Sequence, residues 1–169
     1  MKMTDFFAWQ LDREAAISRR VLERVPEGRG DWKPHEKSMQ LVYLSTLVAI
    51  IPTWITMAIE QDFLDLNPPG GSPYAPQGWS KIVELLSSFE DALGKCREAL
   101  KSTTDKRLRT PWRLLVSGRT VMEAPRDIVI ADNFTHLAHH RGQLTVYLRL
   151  LGVPVPSIYG PSADDRGFM

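Results

Sequence analysis

Cysteine occurs once in this chain of 169 residues, at Cys96. A single thiol excludes an internal disulfide and fits a reducing compartment. In GKCREALK, on an expected helix, it reads as a small half-buried residue in preference to a reactive thiol. An excess of either charge is missing too: 21 basic residues face 20 acidic ones, for a net +1. No field of that size implies a nucleic-acid partner. The start, MKMTDFFAWQLDRE, meets acidic residues too early for a signal peptide, so the expected location is cytoplasmic. Charge is absent altogether from Ser38 to Ile59, SMQLVYLSTLVAIIPTWITMAI, a run long enough to cross a bilayer. Gln40, Ser45, Thr46, Pro52, Thr53 and Thr56 dilute its hydrophobicity, however. A helix contacted on most sides inside a soluble bundle has the same pattern, and no membrane is expected.

What is present is ordinary for one globular domain: 43% hydrophobic and 24% charged residues, with no repeat and no boundary within 1–169. Four long segments read as helices. The first runs from Thr4 to Arg24, capped by Thr4 or Asp5, with Phe6, Trp9, Leu11, Ala16, Ile17 and Val21 on its apolar side. After the loop VPEGRGDWKPHEK, in which His35 packs or caps, Ser38 caps the uncharged second helix. Pro52 should kink or break that helix. DLNPPGGSPYAPQG is a surface loop. The third helix, Ser80 to Lys101, turns Ile82, Leu85, Leu86, Phe89, Leu93 and Leu100 to one side. Trp112–Val116, a Ser117-Gly118 turn and Thr120–Met122 form a small β-hairpin. Pro125 opens the last helix and Gly152 ends it. The fold class is all-α, with a small β-hairpin before the last helix.

The last helix carries the chemistry. At 100° per residue Val129, Asn133, His136, His140, Gln143, Tyr147 and Leu150 make one stripe, spaced 4-3-4-3-4-3. Such a seam should be apolar, yet its middle reads Asn-His-His-Gln, which is costly in a core unless satisfied. Imidazoles at i and i+4 can share one divalent metal, and a hydrogen-bonded polar layer without an ion would read the same. His139 points about 60° away and belongs to the surface.

DWKPHEKSM before the second helix, the IPTW turn, the hairpin running into PRDIV, and above all HLAHHRGQLTVYLRLLGVPVPSIYGPSADD resemble the DinB/YfiT-like family. That resemblance covers nearly the whole chain and implies an up-down-down-up four-helix bundle, often a homodimer. It implies a divalent metal, zinc or nickel, held by three histidines, and activities such as transfer of a low-molecular-weight thiol or hydrolysis of a small amide. His136 and His140 match two of those histidines. The third falls in LSTLVAIIPTW at Leu47, which has no lone pair to offer, so the site retains two protein ligands. Asp132, one turn before His136, can substitute as a carboxylate ligand or accept a hydrogen bond from His136. Tyr43, one turn before Leu47, is a poor ligand at neutral pH. Asn133 and Gln143 are expected to position substrate or water, and Tyr147 lies further along the same stripe.

Two readings follow. In one, a degenerate metal site leaves a bundle that binds a small molecule or retains low activity. In the other, His136 and His140 hold the ion of a thiol-S-transferase or hydrolase. The basic run Lys106, Arg107, Arg109, Arg113, Arg119 and Arg126 reads as a solvated hairpin face; if it lay at the pocket mouth it would favour an anionic thiol or carboxylate.

Overall fold

The computed structural model describes residues 1–167. In chain order it contains α1 (Met3–Leu22), α2 (Leu41–Glu60), β1 (Phe63–Asp65), α3 (Ile82–Ser102), α4 (Asp105–Leu108), β2 (Pro111–Val116), β3 (Arg119–Pro125) and α5 (Arg126–Leu150). The protein is thus mostly helical with a three-stranded sheet, not all-α with a lone hairpin. α2 packs chiefly on α3 and α5, α1 also packs on α3 and α5, and α1 touches α2 only lightly. Leu41, Leu44, Val48, Ile51 and Ile55 of α2 are fully enclosed, so the uncharged run serves as a core helix. Its continuity survives Pro52, which lies inside the helix without breaking it. Proline removes one backbone donor, and Thr56 Oγ1 donates to the Pro52 carbonyl at 3.3 Å.

The helix starts differ from the local signals because distant groups do the capping. α1 begins at Met3 behind Lys2, and neither Thr4 nor Asp5 caps it. Instead the Asp105 carboxylate accepts from Met3 N at 3.0 Å and Thr4 N at 3.1 Å, a cap from α4 that also suits the positive end of the helix dipole. Gln40, not Ser38, precedes α2, and its side chain makes no capping bond. Loop carbonyls receive the first amides: Leu41 N donates to Trp32 O and Val42 N to Gly30 O. His35 Nδ1 accepts from Lys37 N at 3.1 Å within the loop before α2. At the start of α3 the Glu84 carboxylate accepts from Ser80 N at 2.8 Å and Lys81 N at 3.2 Å. α5 follows Pro125 and closes in a Schellman turn, with Gly152 at φ +73° and Val153 N donating to Leu148 O.

α1 buries three of the six residues expected on its apolar side, Leu11, Ile17 and Val21, and exposes the other three. Phe6 is 41% and Trp9 56% exposed, and Ala16 is exposed as well. The inward seam is Phe7, Leu11, Glu14, Ser18 and Val21, spaced 4-3-4-3, with two polar residues in its middle. Both are accounted for by Arg141 of α5, which is 1% exposed along its side chain. Its guanidinium donates to the Glu14 carboxylate at 2.6 Å, Ser18 Oγ at 2.9 Å and Tyr159 Oη at 2.5 Å. Tyr159 in turn donates to Glu14 at 2.8 Å, which fastens the extended tail to α1. A buried charge persists only where it is paired and hydrogen-bonded, as here.

The sheet has the order β1-β2-β3, with β1 parallel and β3 antiparallel to β2. Leu64 pairs with Leu114, and Leu114 with Met122, so one row of side chains crosses all three strands. Val121 is left over in a bulge where the register shifts. Ser117 (φ 53°) and Gly118 (φ 76°) make the tight turn, and the Asp65 carboxylate accepts from both amides at 3.0 and 2.7 Å. β1 therefore does more than flank the hairpin: it fixes the tip. Cys96 is fully enclosed, not half-buried, and burial pushes its thiol up to about 12.

Candidate functional site

One cavity of about 550 Å³ opens between α2, α5 and the inner face of the sheet. Met39, Tyr43, Leu47, Trp54 and Met57 come from α2 and its approach. Leu64, Trp112, Leu114 and Met122 form a floor of sheet residues. Val129, Asp132, Asn133, His136 and His140 descend from α5 at one-turn intervals. The loop after β1 supplies Leu66, Tyr74 and Pro76. That loop is held by Trp54 Nε1, which donates to Tyr74 Oη at 2.7 Å, and by Trp79 Nε1, which donates to Ser45 Oγ at 2.9 Å. A mostly apolar wall with a few convergent polar groups is the usual form of a small-molecule site.

The polar groups are locally ordered. His140, 8% exposed, places Nδ1 at 2.8 Å from Gln143 Oε1. An amide oxygen only accepts, so His140 carries its proton on Nδ1 and keeps a lone pair on Nε2. His136 Nε2 lies 2.8 Å from that atom and donates to it. Burial, followed by the neighbouring His140 and His139, pushes the His136 pKa down; burial also lowers that of His140 against the raising effect of Gln143. Asn133 Nδ2 donates back to the Val129 carbonyl at 2.9 Å, inside its own helix. Tyr147 is buried outside the cavity and donates to the Met39 carbonyl at 3.0 Å.

Several expectations for the α5 stripe change in detail. Val129, Asn133, His140 and Tyr147 are buried, but His136 is solvent-open on the cavity side, against the Trp54 ring at 5.2 Å. Gln143 is only partly buried, and Leu150, at the end of the stripe, is 59% exposed. The acceptor that orients an imidazole is Gln143 acting on His140, where Asp132 acting on His136 was one expectation. Asp132 is exposed and lines the cavity. Leu47 lines the same cavity as both histidines and is 6% exposed. His139 is exposed, beside His140 but outside the lining.

None of the basic residues around the hairpin lines this cavity. Arg126, expected on a solvated face, is completely buried and donates to Gln61 O at 2.9 Å, to Asp62 at 2.6 Å and to the Thr110 and Pro111 carbonyls. Arg107 reaches the same Asp62 at 3.0 Å, and both guanidiniums hold that carboxyl below the usual range. The pair ties the end of α2 to the start of α5. The residues that the sequence did not single out are the sheet floor, Leu64, Trp112, Leu114 and Met122, and the loop residue Tyr74. The alternation of the hairpin was the signal for Trp112, Leu114 and Met122, and Leu64 and Tyr74 carried none.

The donor set does not match a three-histidine centre. Among the described residues no group of three or more His, Cys, Asp or Glu side chains is placed to hold an ion. The two Nε2 atoms converge, but a tetrahedral zinc with bonds near 2.05 Å needs them about 3.3 Å apart. Their 2.8 Å separation is that of a direct hydrogen bond.

Residues 84–166 match the model of the DinB family. The protein YrdA of Bacillus subtilis (strain 168) is 33% identical over 82 residues, which cover 48% of this chain and 46% of that relative. The chain thus matches about half the length of this curated relative. A DinB-like protein from Bacillus cereus ATCC 10987 has the same fold, with a TM-score of 0.68 at 20% identity over 90% of this chain and 95% of its own. A second, YjoA from Bacillus subtilis, superimposes with a TM-score of 0.58 at 17% identity, over 86% and 92%. The likeness seen in the sequence therefore holds at both levels: the second half of the chain matches the DinB family model, and the fold is that of DinB-like proteins.

Proposed function

We propose that this protein is a small-molecule-binding or low-activity descendant of the DinB-like bundles, its metal site reduced by Leu47 to His136 and His140. The observation that carries the reading is the composition of one cavity. About 550 Å³ of largely apolar space contains both histidines and Leu47, with the histidines bonded to each other and to Gln143. A polar layer satisfied in this way needs no ion to be stable. The four long helices take the up-down-down-up order in this reading, and the protein works in the cytoplasm without nucleic acid or membrane. Exposed Phe6 and Trp9 on α1 support a homodimer formed through bundle helices.

One observation favours the second reading, a divalent-metal-dependent thiol-S-transferase or hydrolase with a low-molecular-weight thiol as co-substrate. The two Nε2 atoms point at each other on neighbouring turns, and burial lowers both pKa values, which favours neutral rings; a shift of the His136 proton to Nδ1 would then present both Nε2 lone pairs to an ion. Asp132 would then be the third ligand. The deciding experiment compares wild type with Leu47→His, each purified without added ion, for zinc and nickel content and for binding by calorimetry. Weak binding by wild type and a gain of at least tenfold in the variant supports the degenerate site. Equal, tight binding by both returns the lead to the enzyme.

A further inference from the structure

The cavity is lined by four aromatic rings, Tyr43, Trp54, Tyr74 and Trp112, and no lysine or arginine reaches it. Its lining carries one residue of fixed charge, Asp132. Among the described residues Asp132 takes part in no salt bridge, unlike Asp62, which is claimed by Arg107 and Arg126. Asp132 stands one turn before His136, whose ring lies 5.2 Å from Trp54, and Trp54 is itself edge-on to Tyr74 at 6.4 Å. A carboxylate, two electron-rich rings and apolar walls thus line one chamber.

Resting on the small-molecule reading above, we infer that the cavity selects a hydrophobic amine, with Asp132 as its counter-ion and the faces of Trp54 and Tyr74 beside the cation. An anionic ligand would meet the Asp132 charge with no basic side chain to offset it, and would give up its hydration for nothing. A protonated amine gains from the carboxylate and from the ring quadrupoles together. The basic residues near the hairpin cannot reverse this preference. Arg126 is buried on backbone carbonyls, Arg107 is held by Asp62, and Arg113 lies over Phe63 outside the cavity.

The test uses three probes with one apolar body and different head groups: naphthylethylamine, naphthylacetamide and naphthylacetate. Calorimetry is run near pH 8, where an ordinary imidazole is neutral and an alkyl amine charged, with a chelator to exclude stray ions. The amine should bind about tenfold more tightly than the amide, the size expected for one partly screened charge and a ring contact, and the acetate weakest. Asp132→Asn, at an exposed position that folding does not depend on, should bring amine and amide within about twofold of each other while leaving the amide's affinity unchanged. Amide binding with no preference for the amine, or a preference that survives Asp132→Asn, overturns the inference and leaves the small-molecule reading standing. Failure of all three probes to bind wild type overturns that reading, and the inference with it.

Discussion

Glu14→Ala removes the carboxylate partner of a cation enclosed between α1 and α5. Arg141 and Glu14 side chains are 1% and 3% exposed, so the vacated position is shut off from bulk solvent. The variant leaves Arg141 with Ser18 Oγ, the Glu14 backbone oxygen and Tyr159, all neutral, while its Nε already lacks an acceptor. Breaking a buried pair from one side costs about 3–5 kcal/mol, because the remaining charge stays desolvated. For a domain of this size that is a fall in Tm of roughly 6–20 °C. The cost belongs to the stranded charge and not to the contact, so a double variant, Glu14→Leu with Arg141→Met, should recover most of it. The assay is denaturant unfolding of wild type, both single variants and the double variant, read as a cycle. A loss below about 1 kcal/mol for Glu14→Ala, or a double variant as unstable as the sum of the singles, would refute the reasoning. Limited proteolysis adds a local readout: freeing Tyr159 should expose the tail after Leu150 to cleavage before the bundle unfolds.

Leu47→His should cost a few kcal/mol without metal, as a polar group in a leucine site. Saturating zinc, at about a hundredfold its Kd, should return about 2.7 kcal/mol to the variant and much less to wild type, measured by thermal shift. Stability should also depend on pH through His136 and His140. Their folded pKa values lie below the unfolded value, so the folded state binds the proton less readily, and stability present above about pH 6.5 is lost as pH falls through that region. His136 is open to solvent, so His140 should account for more of the effect; His140→Gln flattening the Tm profile between pH 5 and 7, by roughly 1 °C or more, is the expected result. Light scattering should give a dimer, and Trp9→Glu should convert it to a species of about 19 kDa. A monomer in wild type over a wide concentration range sinks that assignment.

The long helices were legible because their apolar residues recur at the helical period, and Pro125 and Gly152 mark the ends of α5 unaided. What escaped was whatever depended on a distant partner. The start of α1 is set by Asp105, more than a hundred residues away, so no local cap signal exists there. The buried face of α1 was obscured because Glu14 and Ser18 read as surface residues until Arg141 is placed beside them. β1 is three residues long and follows Asp62 directly, too short to show alternation, and it is held by β2 and by the Asp65 bonds to the hairpin tip. Pro52 signalled a kink or a break, and α2 runs through it unbroken from Leu41 to Glu60. A single missing backbone bond is a small cost for a helix enclosed by α3 and α5.

The site divides along the same line. His136, His140, Asn133, Asp132, Leu47 and Tyr43 could be gathered from spacing and resemblance, and all six line one cavity. Spacing could not say which imidazole is enclosed, since both fall on one stripe. The difference arises because Gln143 reaches His140 at one-helical-turn distance, while His136 faces the opening beside Trp54. Nor could it supply the other wall: Leu64, Leu114 and Met122 come together only through strand pairing across the sheet. That wall bears on function as much as the histidines do. With Arg107 and Arg126 spent on Asp62 and on backbone carbonyls, the sheet contributes apolar surface and no positive charge, and Asp132 remains the group whose charge an incoming ligand must answer.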